Sequence, residues 1–225
     1  MKIVAINGSA RGMKGLTGFL VQNMLESVQK AGAETETFIL HDLDIKPCRA
    51  CHVCSKTGQC AIKDDFPAIK DSIIASDGFV FASPNYVSNV SAQMKTFLDR
   101  NFTTYHCQTF RGKYGVVAVA SGGPAYENVT EYLERIIGIT GSWVVGNVGV
   151  SQPELDDEDC KNDVTESAAA LGAKLISAIK GKKTYQDQQE KIDEHLEIMK
   201  FIVSEQKEAW AYEYDYLKTN FGMEY

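Results

Sequence analysis

Five short strand-like runs, separated by amphipathic segments, constrain the fold of this chain more than any other feature of its sequence. The runs are 3–6, 34–40, 78–82, 114–120 and 143–150. Apolar residues recur at helical spacing in segments that begin near positions 16, 66, 91, 129 and 159. Apolar runs that are continuous rather than alternating indicate a parallel sheet covered on both faces. With right-handed crossovers, the sequence predicts an α/β fold with a doubly wound five-stranded parallel sheet in three α/β/α layers.

The chain is longer than such a sheet requires. At 225 residues and 44% hydrophobic content, it can bury one sizeable core. The predicted strands and their helices end near position 181. We therefore expect one domain over 1–181 and a C-terminal helical extension over 182–225.

Composition and charge argue against several classes of protein. No apolar run approaches the roughly 20 residues that span a bilayer. The formal charge of -7 repels nucleic acid, and no basic stripe offsets it. The chain begins with a strand pattern rather than a signal peptide, and its six cysteines suit a reducing compartment. A cytoplasmic protein that binds neither nucleic acid nor membrane is expected.

The loop after the first strand has the composition of a phosphate-binding loop. In doubly wound sheets, ligands bind beyond the carboxyl ends of the strands, where this loop lies. It combines glycines, hydroxyl groups, two cations and a helix start, but matches neither the triphosphate-binding nor the dinucleotide-binding glycine pattern. A monophosphate therefore suits it best, and a glycine-rich turn without a ligand is the alternative. The candidate residues are Ser9, Arg11, Lys14, Leu16 and Thr17.

The loops after the third and fourth strands are expected to lie beside the first loop. Pro84 stiffens the former loop, where the amide of Asn85 and the ring of Tyr86 suit a planar heterocycle. Glycines in the latter loop let a ligand approach main-chain amides. Ordinary strand-to-helix turns are the alternative. The candidates are Pro84, Asn85, Tyr86 and Ser88 in one loop, and Ser121, Gly122 and Gly123 in the other.

Four closely spaced cysteines form a second candidate site. They are Cys48, Cys51, Cys54 and Cys60, with the spacing C-x2-C-x2-C-x5-C. This compact spacing favours a 4Fe-4S cluster over structural zinc, whose ligands usually come as two separated pairs. A reduced cysteine loop without metal is the alternative. The remaining cysteines, Cys107 and Cys160, are expected to be ordinary free thiols.

Together these motifs resemble the NAD(P)H-dependent FMN reductases of flavodoxin-like fold, over positions 1 to about 180. The resemblance lies in the Gly-Ser-x-Arg loop at 8–11, Ser-Pro-x-Tyr at 83–86, Met-Lys-x-Phe-x-Asp-Arg at 94–100 and Ser-Gly-Gly at 121–123. The cysteine motif is similar to that of the iron-sulfur flavoprotein branch, in which a 4Fe-4S cluster accompanies FMN.

The resemblance implies roles for these residues and an activity. Ser9, Arg11 and Thr17 match phosphate-binding positions, with Lys14 as an added cation, while 84–86 and 121–123 match the two sides of the isoalloxazine ring. It implies hydride transfer from NAD(P)H to the flavin, and then reduction of a small acceptor such as a quinone, nitroaromatic or flavin, directly or through the cluster. The alternative is an electron-transfer protein that a ferredoxin-like donor reduces without nicotinamide. Neither activity requires a catalytic acid or base.

The predicted extension carries an apolar stripe at spacings of three, four and seven residues. Its members are Ile192, Leu196, Met199, Val203, Trp210, Tyr214 and Leu217. A helix would present them on one face that must be buried. Because the sheet already has enough helices, we expect docking on a neighbouring subunit, which would make a homo-oligomer, either a dimer or a tetramer. The aromatic segment 210–216 would then lie near the interface or the flavin pocket, and a helix folded back on its own domain is the alternative.

Overall fold

A five-stranded parallel sheet lies at the centre of the fold. The computed structural model describes residues 1–223. The strands are β1 (Lys2–Asn7), β2 (Glu34–Ile39), β3 (Gly78–Pro84), β4 (Tyr114–Ser121) and β5 (Trp143–Ser151). They pair in parallel in the order β2-β1-β3-β4-β5. This is the order of flavodoxin-like doubly wound sheets and confirms the predicted fold.

Helices connect the strands and continue beyond the sheet. They are α1 (Leu16–Lys30), α2 (Val53–Thr57), α3 (Phe66–Ile74), α4 (Ala92–Asp99), α5 (Phe102–Cys107), α6 (Glu127–Ile139), α7 (Gln152–Asp156), α8 (Glu158–Lys180), α9 (Gln186–Ser204) and α10 (Ala211–Phe221). Three of these, α2, α5 and α7, were not predicted, because five or six residues are too few to show helical periodicity. None of the helices in residues 1–223 has the length and hydropathy needed to cross a membrane.

The helices cover both faces of the sheet, as the three-layer prediction requires. Leu20 of α1 and Leu175 of α8 share one apolar cluster with Ile3 of β1. The adjacent residue, Val4, belongs to the cluster on the opposite face, with Leu133 of α6. Successive side chains of β1 therefore enter two separate cores, which is why the strand is apolar from Ile3 to Ile6.

The C-terminal extension forms two helices that fold back on their own chain, rather than one helix docked on a neighbouring subunit. Ile192 and Leu196 of α9 are buried, as are Tyr214 and Leu217 of α10. Helix α9 packs against α5 and α6, and α10 packs against α2 and α5. The apolar stripe thus gives no argument for assembly, and the dimer or tetramer stays a prediction, as does the domain boundary at 181. Glu224 and Tyr225 of the predicted extension lie outside the described residues.

Helix α9 also closes part of the exposed edge of the sheet. The side-chain amide of Gln188 donates to the carbonyl oxygen of Val144 in β5 at 2.9 Å and accepts from its N–H at 2.8 Å. These two hydrogen bonds are the ones a further strand would make. Helix α9 thus covers backbone groups at the edge of the sheet, in β5. Counting the helices needed for the two faces did not reveal this edge.

Candidate functional site

Three loops at the carboxyl ends of β1, β3 and β4 border one cavity of about 240 Å³. Most of the predicted site residues meet there. They are Ser9, Arg11, Leu16, Thr17, Pro84, Asn85, Tyr86, Ser121 and Gly122. Gly15, Ala120 and Gln152 also border the cavity and were not predicted. The three loops thus meet where the switch-point argument placed them, and their contacts with a ligand stay predictions.

Three predicted residues do not border this cavity. Lys14 is exposed on a short 3-10 turn, Gly12–Lys14. Ser88 is exposed in a tight turn, and its carbonyl oxygen accepts a hydrogen bond from Asn128 at 2.7 Å. Gly123 donates its N–H to the Ser121 hydroxyl at 3.4 Å. Their predicted ligand contacts stay predictions.

The first loop is braced by Asn7, a residue that the sequence analysis passed over. Its buried side chain accepts from the N–H of Ser9 at 2.9 Å and donates to the carbonyl oxygen of Gly12 at 3.2 Å. The Ser9 hydroxyl accepts in turn from the N–H of Arg11 at 3.2 Å. Helix α1 begins directly after this loop without a side-chain cap. The N–H groups of its first turn and the Arg11 cation suit an anion at this end of the cavity.

Ser91 ties the third-strand loop to the first loop. Its hydroxyl donates to the carbonyl oxygen of Gly8 at 2.7 Å and accepts from the N–H of Met94 at 3.2 Å, so that it also caps α4. Its own N–H donates to the Ser83 hydroxyl at 3.0 Å. All of these groups are buried. The two loops are therefore held in a fixed relation.

Asn85, which lines the cavity, carries an unused acceptor in its side chain. Its N–H donates to Ala120 and its side-chain amide donates to Ala125, both carbonyl oxygens at 2.7 Å. Its Oδ1 is buried and has no hydrogen-bond partner within residues 1–223. An unpaired buried acceptor costs about 1–3 kcal/mol. This atom fits an N–H donor on a bound heterocycle, as the isoalloxazine ring of FMN supplies.

A strained turn forms the rim beside Asn85. The backbones of Tyr86 and Asn89 hydrogen-bond to each other at 2.8 and 3.1 Å. Between them, Val87 and Ser88 have φ values of 52° and 58°, in the left-handed region that β-branched residues avoid. Val87 is fully exposed at 100%, so apolar packing does not hold it there. Such strain is concentrated at binding loops.

The four clustered cysteines border a second, smaller cavity of about 80 Å³. Ala50 and His52 have φ values of 49° and 54°, and Gly58 ends α2 at 78°, so the chain curls around the cavity. The N–H of Ala50 donates to Cys48 Sγ at 3.4 Å. Within residues 1–223, however, no group of three or more Cys, His, Asp or Glu side chains has the arrangement of a metal site. The assignment of Cys48, Cys51, Cys54 and Cys60 as ligands therefore stays a prediction.

The thiols differ in their surroundings. Cys48 and Cys51 are exposed, whereas Cys54 and Cys60 are partly buried. Burial, followed by the neighbouring Cys60 and Glu213, raises the pKa of the Cys54 thiol. The two remaining cysteines, one buried in α5 and one exposed in α8, border neither cavity.

Arg100 clamps both ends of the cysteine loop. It donates to the Lys46 carbonyl oxygen at 2.7 Å, to Cys60 Sγ at 3.3 Å, and to the Asp64 carboxylate at 2.5 and 3.1 Å. The Arg100 and Asp64 side chains are only 1% and 0% exposed. Burial favours a raised pKa for Asp64, but hydrogen bonds from Arg100 and from the N–H groups of Lys46 and Phe66 outweigh it and hold that pKa below its usual value. The clamp therefore works with ionised Asp64.

Aromatic residues of the extension cover the cysteine loop. The Trp210 ring stacks on His52, with centroids 5.5 Å apart and planes at 17°. Phe102 meets both rings edge-on at 5.4 and 5.9 Å. Beside them, the buried Glu213 carboxylate lies 2.8 Å from His106 Nδ1. The aromatic segment was expected near a subunit interface or the flavin pocket. It lies on the cysteine loop and does not border the cavity formed by the three strand-end loops, and the interface stays a prediction.

Relatives with known names cover most of the chain. Residues 1–155 match the family model described as NADPH-dependent FMN reductase. An iron-sulfur flavoprotein of Archaeoglobus fulgidus is 34% identical over 208 residues, covering 91% of this chain and 90% of that protein. An iron-sulfur flavoprotein of Methanocaldococcus jannaschii is 34% identical over 193 residues, covering 80% of this chain and 98% of that protein.

The fold is also similar to that of solved structures. A flavodoxin, WrbA-like protein from Agrobacterium tumefaciens superposes with a TM-score of 0.55 at 16% identity, over 81% of this chain and 99% of that one. Likeness at this identity shows the fold alone. The family match, the strand order and the cavity at the switch point agree: the chain belongs to the NADPH-dependent FMN reductase family and is a flavin-dependent oxidoreductase.

Proposed function

We propose that the protein binds FMN and passes electrons from NAD(P)H to a small acceptor such as a quinone, a nitroaromatic compound or a free flavin, directly or through a 4Fe-4S cluster. The observation that carries this proposal is the cavity that joins an anion site at one end to the unpartnered acceptor of Asn85. The family description and the names of the relatives support it. Bound FMN would supply the redox chemistry.

The residues of this chain would hold and orient that cofactor. Arg11 and the N-terminus of α1 would bind the phosphate, and Asn85 would fix the ring through its free Oδ1. Tyr86 lines the cavity and is 48% exposed, so the rim stays open to a second reactant. The residues bind and position the reactants, and no side-chain acid or base is needed.

The cysteine loop has the donor set for a 4Fe-4S cluster, held by Cys48, Cys51, Cys54 and Cys60. Four thiols around one small cavity fit the four-thiolate rule for such clusters. Two N–H donors already point at sulfur, from Ala50 and Arg100. Hydrogen bonds to sulfur are one of the means by which a protein sets the reduction potential of a cluster.

A second candidate function is electron transfer from a ferredoxin-like donor without nicotinamide. Cys48 and Cys51 are exposed, which brings the cysteine loop to a surface that a donor protein can reach. Anaerobic mixing of the FMN-loaded protein with NADH, NADPH or reduced ferredoxin separates the two functions. Bleaching of the flavin absorption by either nucleotide, followed by reoxidation with a quinone, is the expected result. Bleaching by reduced ferredoxin alone would establish the electron-transfer function instead.

Removing the charge of Arg11 should weaken FMN binding. We expect Arg11→Ala to weaken the binding free energy of FMN by about 1.5–3 kcal/mol, and so to raise its Kd, because a charge-assisted phosphate contact is lost. Lys14→Ala is the matched control, since Lys14 is a nearby exposed cation that does not border the cavity. Flavin fluorescence titration measures both. Equal losses of FMN affinity in the two variants would mean that Arg11 contributes only through the overall positive charge near the cavity.

Iron analysis tests the cysteine loop. Protein purified without oxygen should contain roughly four iron and four sulfide per chain, as a four-thiolate cluster requires. Cys51→Ser should remove most of this iron, whereas Cys160→Ser, which changes an exposed thiol in α8, should keep it. Iron-free anaerobic protein with full flavin activity would instead favour a loop without metal.

A further inference from the structure

A third cavity, of about 680 Å³, adjoins the cysteine loop at Cys54 and Cys60. It shares no lining residue with the cavity assigned to FMN. Residues of α3, α5 and α10 complete its wall. Its volume lies within the range of about 300–1,000 Å³ that is usual for small-molecule sites. Neither the flavin nor the cluster accounts for it.

Lys70 borders the cavity and, within residues 1–223, forms no ion pair, although Asp71 and Glu213 are near enough to act on its charge. Lys70 is half-buried, and its ammonium group donates to the Thr103 hydroxyl at 2.9 Å. Of the two carboxylates at the cavity, Asp64 is already paired with Arg100, and Asp71 is exposed and forms no ion pair with Lys70. Burial lowers the pKa of Lys70, as expected for a desolvated cation. An anion in the cavity would compensate this charge.

Aromatic side chains form another part of the wall. Tyr212 and Tyr216 of α10 both border the cavity, with ring centroids 6.0 Å apart and planes at 40°. Phe66 and Pro67 of α3 also line it. Aromatic walls of this kind favour planar rings through stacked and edge-to-face contacts. The cavity thus combines an anion partner with surfaces for a ring.

We propose that this cavity binds a planar aromatic anion, with its carboxylate on Lys70 and its ring against the tyrosines of α10. Binding itself is independent of the proposed function. The role that follows rests on that function: a quinone that carries a ring carboxylate and is held beside Cys54 and Cys60 would accept two electrons. NAD(P)H would supply these electrons through the flavin and the cluster, and with the hydrogen of NAD(P)H and one proton from solvent the quinone would leave as the hydroquinone.

Calorimetry with two ligands of the same ring system tests the site. The FMN-loaded, full-length protein is titrated with 2-naphthoate and with the uncharged 2-naphthalenemethanol. We expect 2-naphthoate to bind one site per chain and at least about tenfold more tightly than the alcohol, because a charge-assisted hydrogen bond is gained. Lys70→Met should remove this preference, and Lys70→Arg should keep most of it.

Two further variants make the result specific. Lys174→Met removes an exposed cation of α8 outside the cavity and should bind 2-naphthoate like the unchanged protein. Tyr216→Leu should weaken the binding of both ligands by a similar factor. This variant gives a test even if Lys70→Met does not fold. Unchanged binding in Lys70→Met, or no binding of 2-naphthoate at all, would overturn the proposal. Calorimetry measures binding and not turnover. A protein that binds 2-naphthoate but does not oxidise NAD(P)H would therefore contradict the proposed function and leave the binding site supported.

Discussion

Replacing Arg100 by leucine is expected to destabilise the protein by about 3–5 kcal/mol, because the Asp64 carboxylate would stay buried without its partner. The two side chains are 1% and 0% exposed, so water cannot replace the lost interaction. The variant also loses the hydrogen bonds to the Lys46 carbonyl oxygen and to Cys60 Sγ, at the two ends of the cysteine loop. Denaturant unfolding measures the first effect, and iron content after anaerobic purification measures the second.

Lys95→Ala is the matched control, in helix α4, which Arg100 directly follows. Lys95 pairs with Asp99 at 2.6 Å, but both side chains are 48% exposed. Exposed pairs at this spacing contribute only about 0.3–0.5 kcal/mol. Removing both buried charges, in Arg100→Leu with Asp64→Leu, should recover part of the lost stability. If Arg100→Leu cost no more than Lys95→Ala, the buried pair would not be the clamp described above.

Arg100→Leu should reverse the sign of the pH dependence that Asp64 contributes to stability. The folded-state pKa of Asp64 lies below its unfolded value, so its stabilising contribution is present above an unfolded pKa of about 3.9 and is lost as the pH falls through the folded value. In Arg100→Leu the unpaired carboxylate should have a raised pKa instead. Lowering the pH from neutral should then stabilise the variant, because the buried carboxylate is protonated, while the unchanged protein loses stability.

Gly18→Ala should have the second large effect. A Cβ at Gly18 would lie 2.4 Å from the Cα and 2.5 Å from the carbonyl carbon of Met13. These are main-chain atoms of the phosphate loop, so the loop must move away from α1 or the helix must shift. We expect a loss of about 1–3 kcal/mol in the free energy of unfolding. FMN affinity should fall as well, because Arg11 precedes the displaced turn.

Gly138→Ala controls for the effect of alanine itself in a helix. A Cβ at Gly138 in α6 would meet no atom within 4 Å. Alanine there should leave FMN affinity unchanged and should stabilise the protein by about 0.5–1 kcal/mol, since glycine is the poorer helix former. Urea unfolding and flavin titration, run on both variants, give the comparison. Similar behaviour of the two variants would show that α1 does not rest on the loop backbone.

The sequence predicted the sheet well because its central strands, β1, β3 and β4, are buried on both sides. Every residue of β3 is buried, which a continuous apolar run indicates directly. The extension was harder to predict. An apolar stripe shows that a face must be covered, but not by what, and the break between Ser204 and Ala211 gave no periodic signal.

The position of the cavity could be predicted from the order of the strands. Ser9 and Asn85 follow buried strands and Ser121 ends one, so the topology alone brings them together. The sequence analysis assigned no role to Asn7 or Arg100, because the role of each depends on the residues that it contacts in the folded chain. The contacts of Arg100 with Lys46 and Asp64 span 54 and 36 positions, and no local pattern records them. Residues of the cavity loops can be found from composition and chain order, whereas supporting residues with distant partners need the three-dimensional contacts.

The cover that α10 places over the cysteine loop has a consequence for synthesis of the chain. Trp210, which stacks on His52, emerges from the ribosome roughly 150 residues after Cys60. At about 5–20 residues per second, that interval lasts on the order of 10–30 s. Throughout it, the cysteine loop lacks its aromatic cover, and its thiols can be reached by whatever loads them. The contact that closes the loop is made between distant parts of the chain and forms only after nearly all of the protein has been made.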